Sequence, residues 1–217
     1  MKIYKKFISF EGIDFSGKST QINILLEKLK SHHINPLLVR EPGGTRISEK
    51  VREILLSPSH SEIFGRTEIL LYEAARAQLV HEVILPQLEQ GRFIIADRFY
   101  DSTTAYQGSG RNLPFSFVRQ LNHFATSELK PYRTFFIDIT PEMAQQRQIE
   151  NKHAQDRLEG GGLEFFKKIR TGFLQLCIEE PDRFIQIDGA RKPEEIARDI
   201  WQVVTEIWDL ENIKEEQ

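Results

Sequence analysis

The chain has 217 residues, 40% hydrophobic and 28% charged, with a formal net charge of −3. That is enough apolar material for one sizeable core, and the slightly acidic balance excludes a generally basic, nucleic-acid-coating surface. The lone Cys177 excludes an intrachain disulfide or a cysteine zinc site and reads as a buried inert thiol; no run approaches the ~18 apolar residues of a membrane span, so we expect a cytoplasmic protein.

In chain order, short apolar runs of β character recur at Phe7–Glu11, Leu37–Arg40, Phe93–Asp97, Thr134–Asp138 and Phe184–Ile187. Helical periodicity fills the gaps at Lys18–Ser31, Arg46–Leu56, about Thr67–Gln90, Phe115–Leu129, Pro141–Lys152, Leu163–Glu179 and Pro193–Leu210. Gly91 reads as the stop of the long helix, Thr140-Pro141 as an N-cap with a first-turn proline, and Pro193-Glu194-Glu195 as an acidic helix start suited to the dipole. Pro86 falls inside the long helix and is expected to kink it; the polar tail from Glu211 to Gln217 is expected to fray. Alternating strands and helices require crossover connections, hence an α/β fold with a parallel sheet and ligands at the carboxyl ends of its strands.

Gly12-Ile13-Asp14-Phe15-Ser16-Gly17-Lys18-Ser19 matches G-x-x-x-x-G-K-[ST] in full, between a predicted strand and a predicted helix. In such a loop glycines let successive N–H groups converge on phosphate oxygens and the helix terminus adds partial positive charge. Lys18 then spans the β- and γ-phosphates, and the Ser19 hydroxyl ligates Mg²⁺. A second element, Phe93-Ile94-Ile95-Ala96-Asp97-Arg98, ends an apolar strand in an acid and a base, where Asp97 can orient Mg²⁺ or its waters. Together they point to nucleoside triphosphate chemistry. A GTPase is disfavoured, because Asn151-Lys152-His153-Ala154 lacks the aspartate of a base-reading Asn-Lys-x-Asp, and motor or helicase cores normally need more chain. A small phosphotransferase fits best.

Four segments in register then carry a family resemblance: Phe10-Glu11-Gly12-Ile13-Asp14 with Gly17-Lys18-Ser19-Thr20, Arg40-Glu41-Pro42-Gly43-Gly44-Thr45, Tyr72-Glu73-Ala74-Ala75-Arg76, and Asp97-Arg98-Phe99-Tyr100-Asp101-Ser102-Thr103-Thr104-Ala105-Tyr106-Gln107-Gly108. The chain resembles a bacterial-type thymidylate kinase from about Lys5 to its last helix. The resemblance implies a three-layer P-loop fold, with five parallel strands in the order 2-3-1-4-5 wrapped by helices and a short lid, in one domain over residues 1–217. It places the phosphate loop at 12–19, the acceptor region at about 40–108 and the lid at about 147–162. It further implies γ-phosphoryl transfer from ATP to dTMP with Mg²⁺, in a homodimer that binds neither nucleic acid nor membrane. The chemistry is compatible: a phosphate monoester with a second pKa of about 6 is already largely an anion at neutral pH and needs no general base. The difficulty is to bring two polyanions together, which calls for cations and oriented N–H groups.

Residue by residue, the resemblance assigns the ATP site to Gly12, Ile13, Asp14, Phe15, Ser16, Gly17, Lys18, Ser19 and Thr20, and the metal to Ser19 and Asp97. Asp14 resembles the acid near the acceptor's 3′-hydroxyl, and Arg98 the arginine that grips the dTMP phosphate with both prongs of its fork. Tyr72 and Arg76, four apart on one helical face, resemble the aromatic that stacks on thymine and the arginine that bonds its edge. Ser102, Thr103 and Gln107 match the pocket wall that reads the base and excludes a 2′-hydroxyl, Arg52 a helix arginine reaching the acceptor phosphate, and Glu41-Pro42 an acceptor-binding turn with a cis peptide. Some relatives carry a loop arginine where this chain has Phe15. The catalytic cations are therefore expected from the lid, at Arg147 and Arg157 beside Lys18, Asp97 and Arg98, with Lys152 and His153 between and Gly160-Gly161-Gly162 as a hinge. Ile187-Asp188-Gly189-Ala190-Arg191 resembles the loop beneath the adenine. Two other readings stay open: a kinase of another nucleoside monophosphate on the same scaffold, and a non-catalytic nucleotide-binding module.

Overall fold

The computed structural model describes residues 2–151, 157–158 and 161–210. Its centre is a parallel sheet of five strands in the order β2-β3-β1-β4-β5, the expected order. The strands are β1 (Lys2–Glu11), β2 (Leu37–Arg40), β3 (Ile94–Asp97), β4 (Leu129–Asp138) and β5 (Phe184–Asp188). The helices are α1 (Lys18–Ser31), α2 (Arg46–Leu56), α3 (Gly65–Leu79), α4 (Leu85–Glu89), α5 (Tyr100–Thr103), α6 (Phe115–Thr126), α7 (Pro141–Glu150), α8 (Gly162–Glu179) and α9 (Pro193–Ile207). None of them is long and apolar enough to cross a membrane.

The two-residue period of the strands sorts their side chains into two cores. Ile8 and Phe10 of β1, Ile95 of β3 and Phe135 and Ile137 of β4 meet Ile22, Leu25 and Leu29 of α1 and Ile196, Ile200 and Val204 of α9. Their neighbours point the other way: Phe7, Ile94 and Ala96 pack on Leu79, Ile84 and Leu88, and Phe136 packs on Ile169 and Phe173 of α8. The result is the three-layer arrangement that buries a parallel sheet on both faces. In register, Phe10 of β1 pairs with Asp97 of β3, and Arg40 of β2 with the same Asp97. The ends of three strands thereby come side by side at one edge.

The elements differ from expectation chiefly at the starts of β1 and β4, at the end of α6 and over Tyr100–Gly110. β1 and β4 are each ten residues long, because Lys2–Tyr4 and Leu129–Pro131, too polar or proline-bearing to read as strands alone, pair with each other. The helix predicted over Phe115–Leu129 stops at Thr126, where Ser127 and Glu128 take φ of 50° and 63° and turn the chain into β4. Pro86 lies inside the long helical stretch, as expected. A π-helical turn at Val80–Ile84 precedes it, with the Leu85 N–H reaching back to the Val80 carbonyl, so the missing proline donor is absorbed in a locally widened helix. Tyr100–Gly110, full of Asp, Ser, Thr and Gly and outside the helices that periodicity predicts, is helical, as α5 followed by a second π-helical turn at Thr104–Gly110. Thr140 caps α7 through the Met143 N–H, as its sequence predicts. The expected fraying of Glu211–Gln217 lies outside the described residues.

Candidate active site

The phosphate loop runs from the end of β1 into α1. Gly12 has φ of 146°, and a Cβ there would stand 2.6 Å from the Ile137 carbonyl oxygen, so only glycine lets the loop leave the sheet. Lys18 Nζ folds back over the loop and donates to the carbonyls of Gly12 and Ile13 at 3.1 and 3.0 Å. Burial, then the neighbouring Arg98 charge, pull its pKa down to about 8. Ser19 and Thr20 are exposed at the first turn of α1. Phe15 sits in the left-handed region at φ 62°, with its carbonyl toward α7. Arg147 of α7 donates to that carbonyl and to that of Ser16 at 3.1 and 3.2 Å, and to Gly189 beyond β5 at 2.9 Å. A guanidinium from α7 thus lies on the loop beside the position where the sequence has Phe15.

Arg98, the first residue past β3, sits at φ 69° with its N–H tied to the Phe10 carbonyl at 3.0 Å. Its guanidinium donates to the Gly12 carbonyl at 2.8 Å, to Ser102 Oγ at 3.1 Å and to Asp14 Oδ1 at 2.5 Å. The Tyr106 hydroxyl takes the other Asp14 oxygen at 3.0 Å. Burial alone would raise the Asp14 pKa, but Arg98 and Lys18 outweigh it and hold the carboxylate below its ordinary range. Beneath them Glu11, the last residue of β1, accepts from the Phe99 N–H at 2.7 Å and the Ser102 hydroxyl at 2.6 Å, fixing the start of α5. Burial and the nearby Asp101 push Glu11 up to about 8. Asp101 is itself held by both prongs of the buried Arg183, at 2.6 and 2.8 Å.

On the far side, α3 presents Tyr72 and Arg76 one turn apart. Arg76 is buried, donating to Glu41 Oε2 at 2.8 Å, Glu73 Oε1 at 2.5 Å, Thr103 Oγ1 at 3.0 Å and, most weakly, Asn122 Oδ1 at 3.4 Å. A ligand carbonyl therefore competes with Thr103 or Asn122 for its N–H groups. Burial lifts Glu41 to about 7 against the pull of Arg76. The Glu41–Pro42 peptide is cis, and Arg52 donates to the Pro42 carbonyl at 2.9 Å.

One cavity of about 610 Å³ joins these groups. Of the residues singled out in the sequence, Asp14, Phe15, Ser16, Gly17, Lys18, Ser19, Thr20, Glu41, Pro42, Arg52, Tyr72, Arg76, Asp97, Arg98, Ser102, Thr103, Gln107 and Arg147 line it. Gly12 and Ile13 stand behind the wall and shape the loop. Arg157 is elsewhere: its Nε donates to the Leu55 carbonyl at 2.7 Å and its Nη1 pairs with buried Glu68 at 2.6 Å, outside the cavity lining. Lys152, His153 and Gly160 lie outside the described residues. Sequence reasoning gave no role to Glu11, Glu68 or Tyr106. Tyr106 lies inside the Asp97–Gly108 segment, but nothing in local spacing reveals that it meets Asp14. The Gly189 and Arg191 positions read as an adenine loop do line the cavity.

A P-loop fold with a loop lysine and two arginines reaching the same loop, all lining one cavity, defines a nucleotide-directed phosphotransferase. The thymidylate kinase family profile matches residues 10–200. A thymidylate kinase of Caldanaerobacter subterraneus subsp. tengcongensis is 52% identical over 187 residues, 86% of this chain and 88% of the relative. Another, of Thermoanaerobacter sp. strain X514, is 48% identical over 92% of this chain and 97% of its own length. The crystal structure of thymidylate kinase from Ehrlichia chaffeensis superposes with a TM-score of 0.74 at 31% identity, covering 94% of this chain and 99% of that one. The chain belongs to the thymidylate kinase family.

Proposed function

We infer that the chain phosphorylates dTMP to dTDP at the expense of ATP, by direct in-line transfer of the γ-phosphoryl group within a single kinase domain. The observation that carries the reading is the shared cavity, in which the loop cations Lys18 and Arg147 face the acceptor-side set Arg98, Arg76, Tyr72 and Gln107. ATP lies along Gly12–Thr20 with its adenine toward Gly189 and Arg191. The dTMP phosphate is held by Arg98 with Arg52, its 3′-hydroxyl by Asp14, and its base between Tyr72, Arg76, Ser102, Thr103 and Gln107, with the Glu41–Pro42 turn closing one side. The cations hold two polyanions in line and stabilise charge that spreads over the transferring group, while the acceptor dianion needs no proton removed.

A divalent ion suits the oxygen donors present. Ser19 and Asp97 both line the cavity, and among the described residues no group of three or more His, Cys, Asp or Glu is gathered to hold a metal by protein ligands alone. Ser19 and Asp97 would hold an Mg²⁺ ion that arrives with ATP, and the ion would supply neutralisation of phosphate charge. The test is initial-rate ADP formation from Mg²⁺-ATP with each nucleoside monophosphate in turn, beside the Lys18→Ala protein. dTMP is expected to be strongly preferred and the variant inactive; preference for another monophosphate refutes the acceptor, and no transfer at all revives the non-catalytic module.

The same reading includes a homodimer in the cytoplasm. Three adjacent helices leave large apolar side chains in water: Ile47 and Ile54 of α2, Leu70 of α3, and Phe117 and Phe124 of α6, the last 84% exposed, with Phe64 at the start of α3 at 81%. A second copy covering that face removes it from solvent. Phe124→Glu is expected to give a monomer by light scattering; an unchanged mass places the interface elsewhere.

A further inference from the structure

Glu68 of α3 is fully buried, just behind the cavity wall, and is absent from every motif discussed above. Its two oxygens collect Arg111 Nε and Nη2 at 3.0 and 3.1 Å, Arg157 Nη1 at 2.6 Å and Gln107 Nε2 at 2.8 Å. Burial would raise its pKa, but the bonds from Arg111, Gln107 and Arg157 outweigh burial and keep it below the usual range. An ionised carboxylate only accepts hydrogen bonds. Gln107 must therefore turn its NH₂ toward Glu68 whatever else it does, which leaves its carbonyl Oε1 as the group the amide offers to a ligand in the cavity it lines. Across the same recess Arg76 can only donate.

We propose that Glu68 is a positioning residue for base selection: by holding the Gln107 amide in one of its two orientations it makes the pocket pair a donor, Arg76, with an acceptor, Gln107 Oε1. Such a pair matches a base edge with a carbonyl beside an N–H, as at O4 and N3 of thymine. It opposes an edge with an amino group beside a bare ring nitrogen, as in cytosine. Without the fixed carboxylate the amide can turn over and donate, and half of the discrimination disappears. Arg157, from the far end of the lid segment, serves here as one of the cations that hold Glu68, so the lid's end is tied to the wall of the base recess. The inference rests on the assignment of that recess to dTMP.

The test compares dTMP with 5-methyl-dCMP, which differ only at this edge, by kcat/KM in the wild-type chain and in Glu68→Gln. We expect the wild type to favour dTMP and the variant to lose at least about tenfold of that preference, since a site built to meet an N–H discriminates strongly only while the complementary group is held. The charge-balanced Glu68→Gln/Arg111→Met pair, which removes the buried carboxylate together with one of its part-buried cations, serves if the single variant does not fold. A wild type that prefers dTMP, with variants that lose activity equally on both nucleotides, overturns the inference and leaves the function intact. A wild type that does not prefer dTMP overturns the base-pocket assignment and the inference together.

Discussion

Replacing Arg147 by alanine tests whether the α7 guanidinium serves the phosphates. In the structure its guanidinium makes three bonds to backbone carbonyls, two on the phosphate loop at Phe15 and Ser16 and one at Gly189. Bonds from a charged donor contribute about 1.5–3 kcal/mol each in favourable cases. With the side chain only part-buried and its two Nη1 bonds shared between neighbouring carbonyls, roughly 2–4 kcal/mol in total is a sound expectation for holding the loop. The cation's larger effect comes when negative charge develops on the transferring group, where removal of one preorganised donor costs about 10²–10³ in kcat, or roughly 3–4 kcal/mol. Because Arg147 touches the donor loop and not the acceptor recess, Arg147→Ala is expected to lower kcat by that factor, to raise the ATP KM several-fold, and to leave the dTMP KM within about threefold of wild type. ADP release followed at saturating and at varied concentrations of each substrate separates the three parameters. A kcat within about threefold of wild type, or a loss confined to the dTMP KM, would falsify the assignment of this arginine to the transition state.

Arg98→Lys keeps the charge but loses the fork that reaches Gly12, Ser102 and Asp14 together. The dTMP KM is expected to rise by at least about tenfold while the ATP KM changes little, and equal effects on both substrates argue for loop collapse instead. For stability, Glu180 is bound by Arg183 at 2.9 Å and by Lys130 at 3.2 Å. Burial opposes ionisation there, but these cations bring its pKa down from 4.5 to about 2. A depressed carboxylate stabilises the folded chain above its unfolded pKa and ceases to do so as pH falls through the folded one, so the window here is about pH 4.5 to 2. With the carboxylate nearly a third exposed, solvent screening reduces the full linkage value to about 1–2 kcal/mol. Urea unfolding should show Glu180→Gln less stable by that amount at pH 7, with the gap narrowing below about pH 4.5; a gap unchanged with pH means the ion pair contributes nothing.

What could be read along the chain was what physical chemistry writes locally. The phosphate loop is eight contiguous residues whose glycines, lysine and serine act at fixed spacing, and the apolar strands that precede Gly12 and Arg98 announce a parallel sheet with its ligand edge. The helix starts at Thr140 and Pro193 lie where capping chemistry puts them. Segments that depend on a distant partner were hidden. Lys2–Tyr4 and Leu129–Pro131 are strands only because they pair with each other, and Tyr100–Gly110 is helical because its small polar side chains find distant partners, as Ser102 does at Glu11 and Thr103 at Arg76. The site divides the same way. Spacing placed Tyr72 and Arg76 on one helical face, but only folding brought Tyr106 to Asp14, set Arg147 on the loop beside Phe15, and drew Arg157 away from the cavity to Glu68. A backbone motif carries its geometry in its own dihedral angles, whereas the partner of a buried charge is chosen by the packing of elements far apart in the chain.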